Sequence, residues 1–404
     1  MMSIKLICSR AWQKRGSSDV HIKLLWCLHL AMTGLTWLQL DVWQDNGSNN
    51  FKIFKYSFFH LIHQQPLYTT GSGDHLDLFQ YHPVFALLFA PIAVLPAPID
   101  LFIWLFVSTI AFLWTLTQLG LDKRWVVWIT LLSLFELSKN ILYAQTNILA
   151  TAVMMLSFIL FERQQPTKAA LSSVLNFCIK GFGGITGLLA VLYPKSDRSI
   201  AYGILFLCLF SLTPLCVLQP SDLLQNYMDW FNLLRSDVIT EPYALVSFLT
   251  QTLHFSQKIE PFVMLLGVVM LLVYWLLLFL TRNNLTKEQR AYFLSFLLLW
   301  VVVFNRAAES ATYIMAATGL LIWYFFHKQA GTATKKMTIF FILCFYWVAV
   351  NCSDLSIPFL RAFDKVYLFR PLFALLPMFW MLTDAYKFYT EVSFKNKTEL
   401  LSMR

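Results

Sequence analysis

Few side chains in this sequence are able to do chemistry, and most of them stand beside or inside long apolar runs. Glu136, Lys139 and Asn140 lie toward the end of one such run, and Gln145 and Asn147 follow in the next turn. Glu136 and Asn140 are four residues apart, so on a helix they share a face. Lys180 sits among apolar residues and precedes the run Gly181-Phe182-Gly183-Gly184. Arg306 and Glu309, three apart, follow the apolar stretch 297–304, and Asp45, Asp74, His75, Asp77 and His82 lie in a segment between apolar runs. Ionisable groups at membrane depth are functional candidates by default, because leaving them there is costly. Carboxylates of this kind act as general bases or bind hydroxyls, lysine and arginine hold anions, and amides orient polyols. The histidines lack metal-ligand spacing with carboxylates, and no metal site is expected. The sequence contains no G-x-x-x-x-G-K-[ST], H-E-x-x-H or G-x-S-x-G, the signatures of phosphate-binding loops, zinc peptidases and serine hydrolases. The glycine run follows no predicted strand and reads as a kink or a close helix approach rather than a nucleotide loop.

The elements that must position these residues are set by composition. Of 404 residues, 58% are hydrophobic and 13% charged, and the mean hydropathy is +0.60. Soluble domains carry roughly 25% charged residues, so a soluble enzyme is excluded. Strongly apolar runs fall near 24–42, 101–119, 126–142, 148–161, 200–218, 262–281, 291–304, 312–326, 337–350 and 366–382, with two less regular stretches at 84–95 and 169–192. A spanning helix takes about 20 residues, so twelve use roughly 240 and leave no room for a large soluble domain. The expected fold is all-α and polytopic, one membrane domain of about 10–12 transmembrane helices, with both termini inside.

The net charge of +9 does not mark a nucleic-acid binder, because the basic residues punctuate apolar runs instead of clustering on one face. They encode topology. With the clusters at Lys123/Arg124, Arg163/Lys168, Lys195/Arg198, Arg282/Lys287/Arg290 and Lys328/Lys335/Lys336 all cytoplasmic, residues 43–99 form one outer loop and 219–259 a second. Val84–Leu95 then does not cross, and 169–192 goes out and returns with Lys180 near the outer surface. Under this assignment the candidate residues all fall on the outer side. Ile53, Phe54, Phe58, Leu61 and Ile62 share a helical face, the pattern of a helix lying in the interface, and Tyr227, Trp230, Phe231 and Leu234 suggest a similar one. The seven cysteines have no C-x-x-C spacing and read as buried small hydrophobes.

The segment Gln80-Tyr81-His82-Pro83-Val84-Phe85-Ala86-Leu87-Leu88-Phe89-Ala90-Pro91, running on to Leu95-Pro96, resembles the Y-x-P-x-F-A-L-L-F-A-P-x-x-x-L-P signature of glycosyltransferase family 87. Asn50–Tyr56, leading to Pro66-Leu67-Tyr68, is similar to that family's stretch after the first helix. Gln145-Thr146-Asn147 resembles its G-Q-x-N turn, with Ala144 where glycine is usual, and Phe177–Lys180 its short run ending in lysine. The likeness covers residues 20–235, with a looser match around Glu309–Tyr313. It implies a GT-C-like polytopic enzyme in a bacterial cytoplasmic membrane, its site facing outward. Such an enzyme moves a mannose-like hexose or a pentose from a polyprenyl-phosphate donor to a lipid or glycan acceptor. It needs no cofactor and has no nucleic-acid partner, membrane lipids being its surroundings. Asn50 stands where the family usually has an aspartate proposed as base. An amide accepts no proton at neutral pH, so the base falls to Asp77, Glu309 or Asp45, in that order. Lys180 and Arg306 are the candidates for the leaving phosphate. Gln145, Asn147, Glu136 and Asn140 are those for sugar hydroxyls, with Asn50, Tyr81 and His82 counted in the same binding set. Two other readings compete: a secondary transporter using Glu136, Lys139 and Lys180, which lacks the expected internal repeat, and a degenerate, non-catalytic scaffold.

Overall fold

The computed structural model describes residues 2–40, 49–69, 75–236, 243–351 and 356–402. Asp45 and Asp74 lie outside them. Among the described residues every regular element is helical. In chain order these are α1 (Met2–Leu38), α2 (Asn49–Ile62), α3 (Pro83–Leu88), α4 (Ala90–Ala93), α5 (Ile99–Gln118), α6 (Lys123–Leu142), α7 (Asn147–Glu162) and α8 (Pro166–Ile179). A 3-10 segment, Gly181–Leu192, follows. Then come α9 (Ser196–Leu212), α10 (Pro220–Ser236), the single turn α11 (Leu245–Ser247), α12 (Glu260–Leu280), α13 (Lys287–Val303), α14 (Tyr313–Ala330), α15 (Lys335–Phe345), α16 (Pro358–Tyr367) and α17 (Arg370–Ser402).

Local chemistry sets these limits. Proline opens α8 and α16 in the first turn, where its missing N–H has no intrahelical partner to lose. Thr286 and Gln289 close a capping box at the start of α13. Gly331, at φ +73°, ends α14 in the left-handed cap that glycine adopts without strain. Gly319 brings α13 and α14 together so closely that a Cβ there would lie 2.8 Å from the Ser295 carbonyl oxygen.

The helices shuttle between two ends of one bundle. At one end lie the basic clusters: Lys123 pairs with Asp19 at 2.5 Å, Arg163 donates to Gln118 at the close of α5, and Arg290 at the start of α13 pairs with Glu162 at the close of α7. Among the described residues, four helical stretches are long and apolar enough to cross a membrane: Ile99–Gln118, Lys123–Leu142, Ser196–Cys216 and Gln257–Leu280. The pair Pro358–Tyr367 and Arg370–Lys395, bent by 84°, makes a fifth if it counts as one span. Two further apolar helices, α7 and the 3-10 segment, are shorter than a full span. The architecture is that of a polytopic membrane protein.

Val84–Leu95 folds as α3 and α4, two short helices against α2 and α5. The apolar face expected to rest on the bilayer surface is in part a core face. Phe54 is fully buried, edge-on to Tyr81, Phe85, Phe89 and Trp104, while Phe58 and Ile62 are only half-buried. The reason is the aromatic content of the neighbouring α3 segment, which gives α2 a protein surface to pack on. Lys55 of α2 is tied to the buried Asp100 at the start of α5.

Candidate functional site

The turn joining α6 to α7 lies at the end of the bundle opposite the basic clusters. Ala144 adopts φ +48° there, a left-handed conformation that favours glycine, the residue usual at this place in the resembling motif. Its carbonyl accepts from Trp104 Nε1 at 2.9 Å, and the Tyr143 carbonyl accepts from Asn50 Nδ2 at 3.1 Å. Held on both sides, the turn presents Gln145 and, as the first residue of α7, Asn147.

Three remote stretches meet this turn. Gln145 Nε2 donates to Glu309 Oε2 at 3.0 Å, across 164 residues of sequence. Lys180, in the turn between α8 and the 3-10 segment, donates from Nζ to Asn147 Oδ1 at 2.6 Å. Its ammonium also lies 5.5 Å from the Phe182 ring centroid and 6.0 Å from that of Tyr81. The Tyr81 hydroxyl lies 3.3 Å from Thr146 Oγ1. The amide nitrogen of Asn147 is buried without a hydrogen-bond partner among the described residues, so an unpaired donor lies beside the Lys180 contact. Glu309 is exposed, while Lys180 and Tyr81 are half-buried, so the cluster has one open side.

The electrostatics follow from the enclosure. Burial lowers the Lys180 ammonium to about 8, opposed by the Glu309 carboxylate, which favours the charged form. Burial raises the Tyr81 phenol, with Glu309 adding to the shift and the Thr146 hydrogen bond opposing it. The chemistry on offer is one cation for a phosphate, one exposed carboxylate for a hydroxyl proton, and two amides to orient a polar ligand.

Asp77 lies one layer away. It is exposed, accepts from Asn49 Nδ2 at 2.6 Å, and its backbone carbonyl meets His75 Nδ1 at 2.7 Å. Asn49 and Asn50 open α2, so Asp77 reaches the α6–α7 turn only through that first helical turn. Arg306 pairs with Glu260 at 3.6 Å and donates to the Leu234 carbonyl at 2.9 Å, which ties it to α12 and α10. His82 is a capping residue: its Nδ1 accepts from Val84 N at 3.2 Å, and its ring packs against Phe177, Tyr227 and Trp230. Burial lowers it to about 4, so at neutral pH it is uncharged.

Glu136 and Asn140 stand beneath the site rather than on its open side. Glu136 is 1% exposed and Arg370 0%; the Arg370 Nη2 donates to Glu136 Oε1 at 2.6 Å, and Lys139 Nζ adds a second contact at 3.0 Å. Arg370 also donates to the carbonyls of Val348 and Ser310 and to Ser310 Oγ, with its guanidinium 3.9 Å from the Tyr313 ring centroid. Asn140 Nδ2 donates to the Glu136 carbonyl. Arg370, Ser310, Thr146 and Asn49 are participants that residue type and spacing did not single out. Only Arg370, a cation inside the apolar run 366–382, carried a signal. A cavity of about 890 Å³ lies at the basic end, between Thr286, Tyr292, His327, Phe340, Trp380 and Asp384; none of the candidate site residues lines it.

The sequence profile of glycosyltransferase family 87 matches residues 79–307, more than half of the chain. The match takes in the Gln80–Pro96 segment, the Gln145-Thr146-Asn147 turn and Lys180, and stops just short of Glu309. No curated protein matches the chain.

Proposed function

The chain belongs to glycosyltransferase family 87, and from that premise we propose that it transfers a mannose-like hexose or a pentose from a polyprenyl-phosphate donor to a lipid or glycan acceptor. It is a membrane glycosyltransferase; in this reading it crosses the bilayer about 10–12 times in a GT-C-like arrangement and works at the outer face of a bacterial cytoplasmic membrane. The observation that carries the reading is the convergence of Lys180, Asn147, Gln145 and Glu309 from three separate stretches at the end away from the basic clusters. That arrangement suits a reaction that needs one held anion and one base.

In the step envisaged, Glu309 takes the acceptor hydroxyl proton as that oxygen forms a bond to the sugar anomeric carbon. The bond from that carbon to the phosphate oxygen breaks, and its electron pair leaves on the lipid phosphate, whose charge Lys180 offsets. Gln145 holds the carboxylate in place, and the Asn147 side-chain carbonyl oxygen holds the Lys180 ammonium. Glu309 is preferred to Asp77 because it touches Gln145 directly. Arg306, Asn50, Tyr81 and His82 frame the site, and Glu136 and Asn140 support it from below.

The test is transfer of radiolabelled sugar from synthetic polyprenyl-phosphate donors to membrane lipid and glycan extracts by the purified protein. Glu309→Gln should lower turnover about 10²- to 10⁴-fold, the usual worth of a general base. Lys180→Ala should weaken both donor binding and turnover. Full activity of both variants would refute the assignment, and loss in Asp77→Asn alone would move the base to Asp77.

A further inference from the structure

Lys180 introduces an unusual helix. Gly181–Leu192 is twelve residues of continuous 3-10 helix, whereas runs beyond three or four residues are uncommon, because side chains eclipse and hydrogen bonds are poorer. The sequence turns that eclipsing to use. Gly181, Gly184, Gly187 and Ala190 recur every third residue, so at three residues per turn they stack in one line and leave a face almost bare of side chains. In an α-helix the same four positions would drift by about 60° at each step and the bare face would break up.

The glycines fall into two kinds. A Cβ on Gly183 would lie 2.4 Å from Asn176 Cγ and one on Gly184 3.0 Å from Phe177 Cβ, so packing demands those two glycines. A Cβ on Gly181 or Gly187 meets nothing within 4 Å, and the same holds for Gly203 on the facing helix α9. At those positions no neighbour needs the room. The room is a cavity of about 350 Å³, walled by the glycine face on one side and by Ile200, Gly203, Ile204 and Leu207 on the other. Val174 and Phe177 of α8 contribute to its wall. Only 11% of the apolar window in the Ser196–Cys216 span is buried inside the protein, so this wall belongs to a helix facing lipid. From Gly181 to Ala190 the groove runs about 18 Å at about 2.0 Å per residue, more than half of the roughly 30 Å hydrocarbon core. It starts at the residue next to Lys180.

Lys180 does not line the groove, but it directly precedes Gly181, which does, and its ammonium lies at the Asn147 contact; a cation one residue beyond an apolar groove is complementary to an amphiphile with an anionic head. We propose that the groove between the 3-10 segment and α9 holds the hydrocarbon tail of the donor lipid, with its phosphate at Lys180. This rests on the reading that Lys180 receives the lipid phosphate. The bare glycine line leaves room for a long methyl-branched chain to lie flat against backbone, and α9 is the side from which the donor enters.

Two measurements on the full chain in nanodiscs test it. The first compares kcat/KM for a long polyprenyl-phosphate sugar donor with that for a short, two-isoprene analogue. Gly187→Leu fills the groove from one wall and Gly203→Leu from the other. Each should cut the long-over-short preference about tenfold, the loss of burying two or so methylene groups. An unchanged ratio in both variants overturns the proposal, as does an equal loss for long and short donors. The second uses a diazirine-bearing polyprenyl phosphate without sugar, which needs no transfer activity. Crosslinks to residues 181–207, lost in Gly187→Leu and displaced by unlabelled polyprenyl phosphate, support the groove even if no transfer is found, in which case the enzymatic reading fails alone. Equal labelling by a diazirine phosphatidylcholine that polyprenyl phosphate does not displace means bulk lipid only, and overturns the proposal while leaving the transferase reading intact.

Discussion

Arg370→Met should be among the most damaging single changes in this protein, for a reason that can be worked from its surroundings. The guanidinium is fully buried and donates at 2.6 Å to a carboxylate that is itself 1% exposed. It also satisfies the carbonyls of Val348 and Ser310 at 2.8 and 3.1 Å. Methionine removes the charge and every donor while keeping much of the apolar volume. Glu136 is then left buried with its Lys139 contact alone, and the buried Val348 carbonyl and the half-buried Ser310 carbonyl lose a donor. Breaking a buried pair from one side costs about 3–5 kcal/mol, mostly the penalty of the uncompensated charge. The effect should also reach the site, because Ser310 adjoins Glu309: turnover should fall more than donor affinity, which depends on Lys180. The check is a double-mutant cycle on equilibrium unfolding in nanodiscs with Glu136→Leu, Arg370→Met and the double variant. Both single variants should be strongly destabilised, and the double should recover most of the loss, since an apolar pair of similar volume can replace a buried ion pair at little cost. Single losses below about 1 kcal/mol, the level of an exposed pair, would refute the reasoning. Additive losses in the double variant would refute it equally.

Three further outcomes are expected. Because burial brings the Lys180 ammonium down to about 8, its charge is present below that pH and lost as pH rises through it. Transfer should therefore fall on the alkaline side near pH 8, and Lys180→Arg should move that fall to higher pH in a pH–rate profile; an unmoved limb would detach it from Lys180. Gly319→Ala should destabilise the α13–α14 contact by about 1–3 kcal/mol, read as a lowered unfolding midpoint, because the obstacle is the Ser295 backbone oxygen and cannot rotate aside. With Asp77→Cys and Lys335→Cys introduced singly into intact cells, an impermeant maleimide should label only the first. Labelling of residue 335 alone would reverse the proposed orientation.

The helical class and membrane setting were legible in composition, and the gathering of Lys123, Arg163 and Arg290 at one end of the helices in the placement of lysine and arginine, because bilayer solvation acts on each segment almost independently of its neighbours. Lys180, Gln145, Asn147 and Glu309 could be singled out one by one, since a polar side chain in an apolar run is conspicuous without knowing its partner. Which of them meet was decided only by tertiary packing. Residue spacing suggested Arg306 beside Glu309, yet Arg306 went to Glu260, and it placed Asn140 beside Glu136, where it stays, but gave no sign of Arg370, 234 residues away, as the partner of the Glu136 carboxylate. Those pairings depend on how helices are ordered around the bundle, which a one-dimensional pattern of charge does not contain. The 3-10 geometry of Gly181–Leu192 is the same lesson at short range: its glycines were visible in the sequence as a kink, and only the folded chain stacked them into a groove.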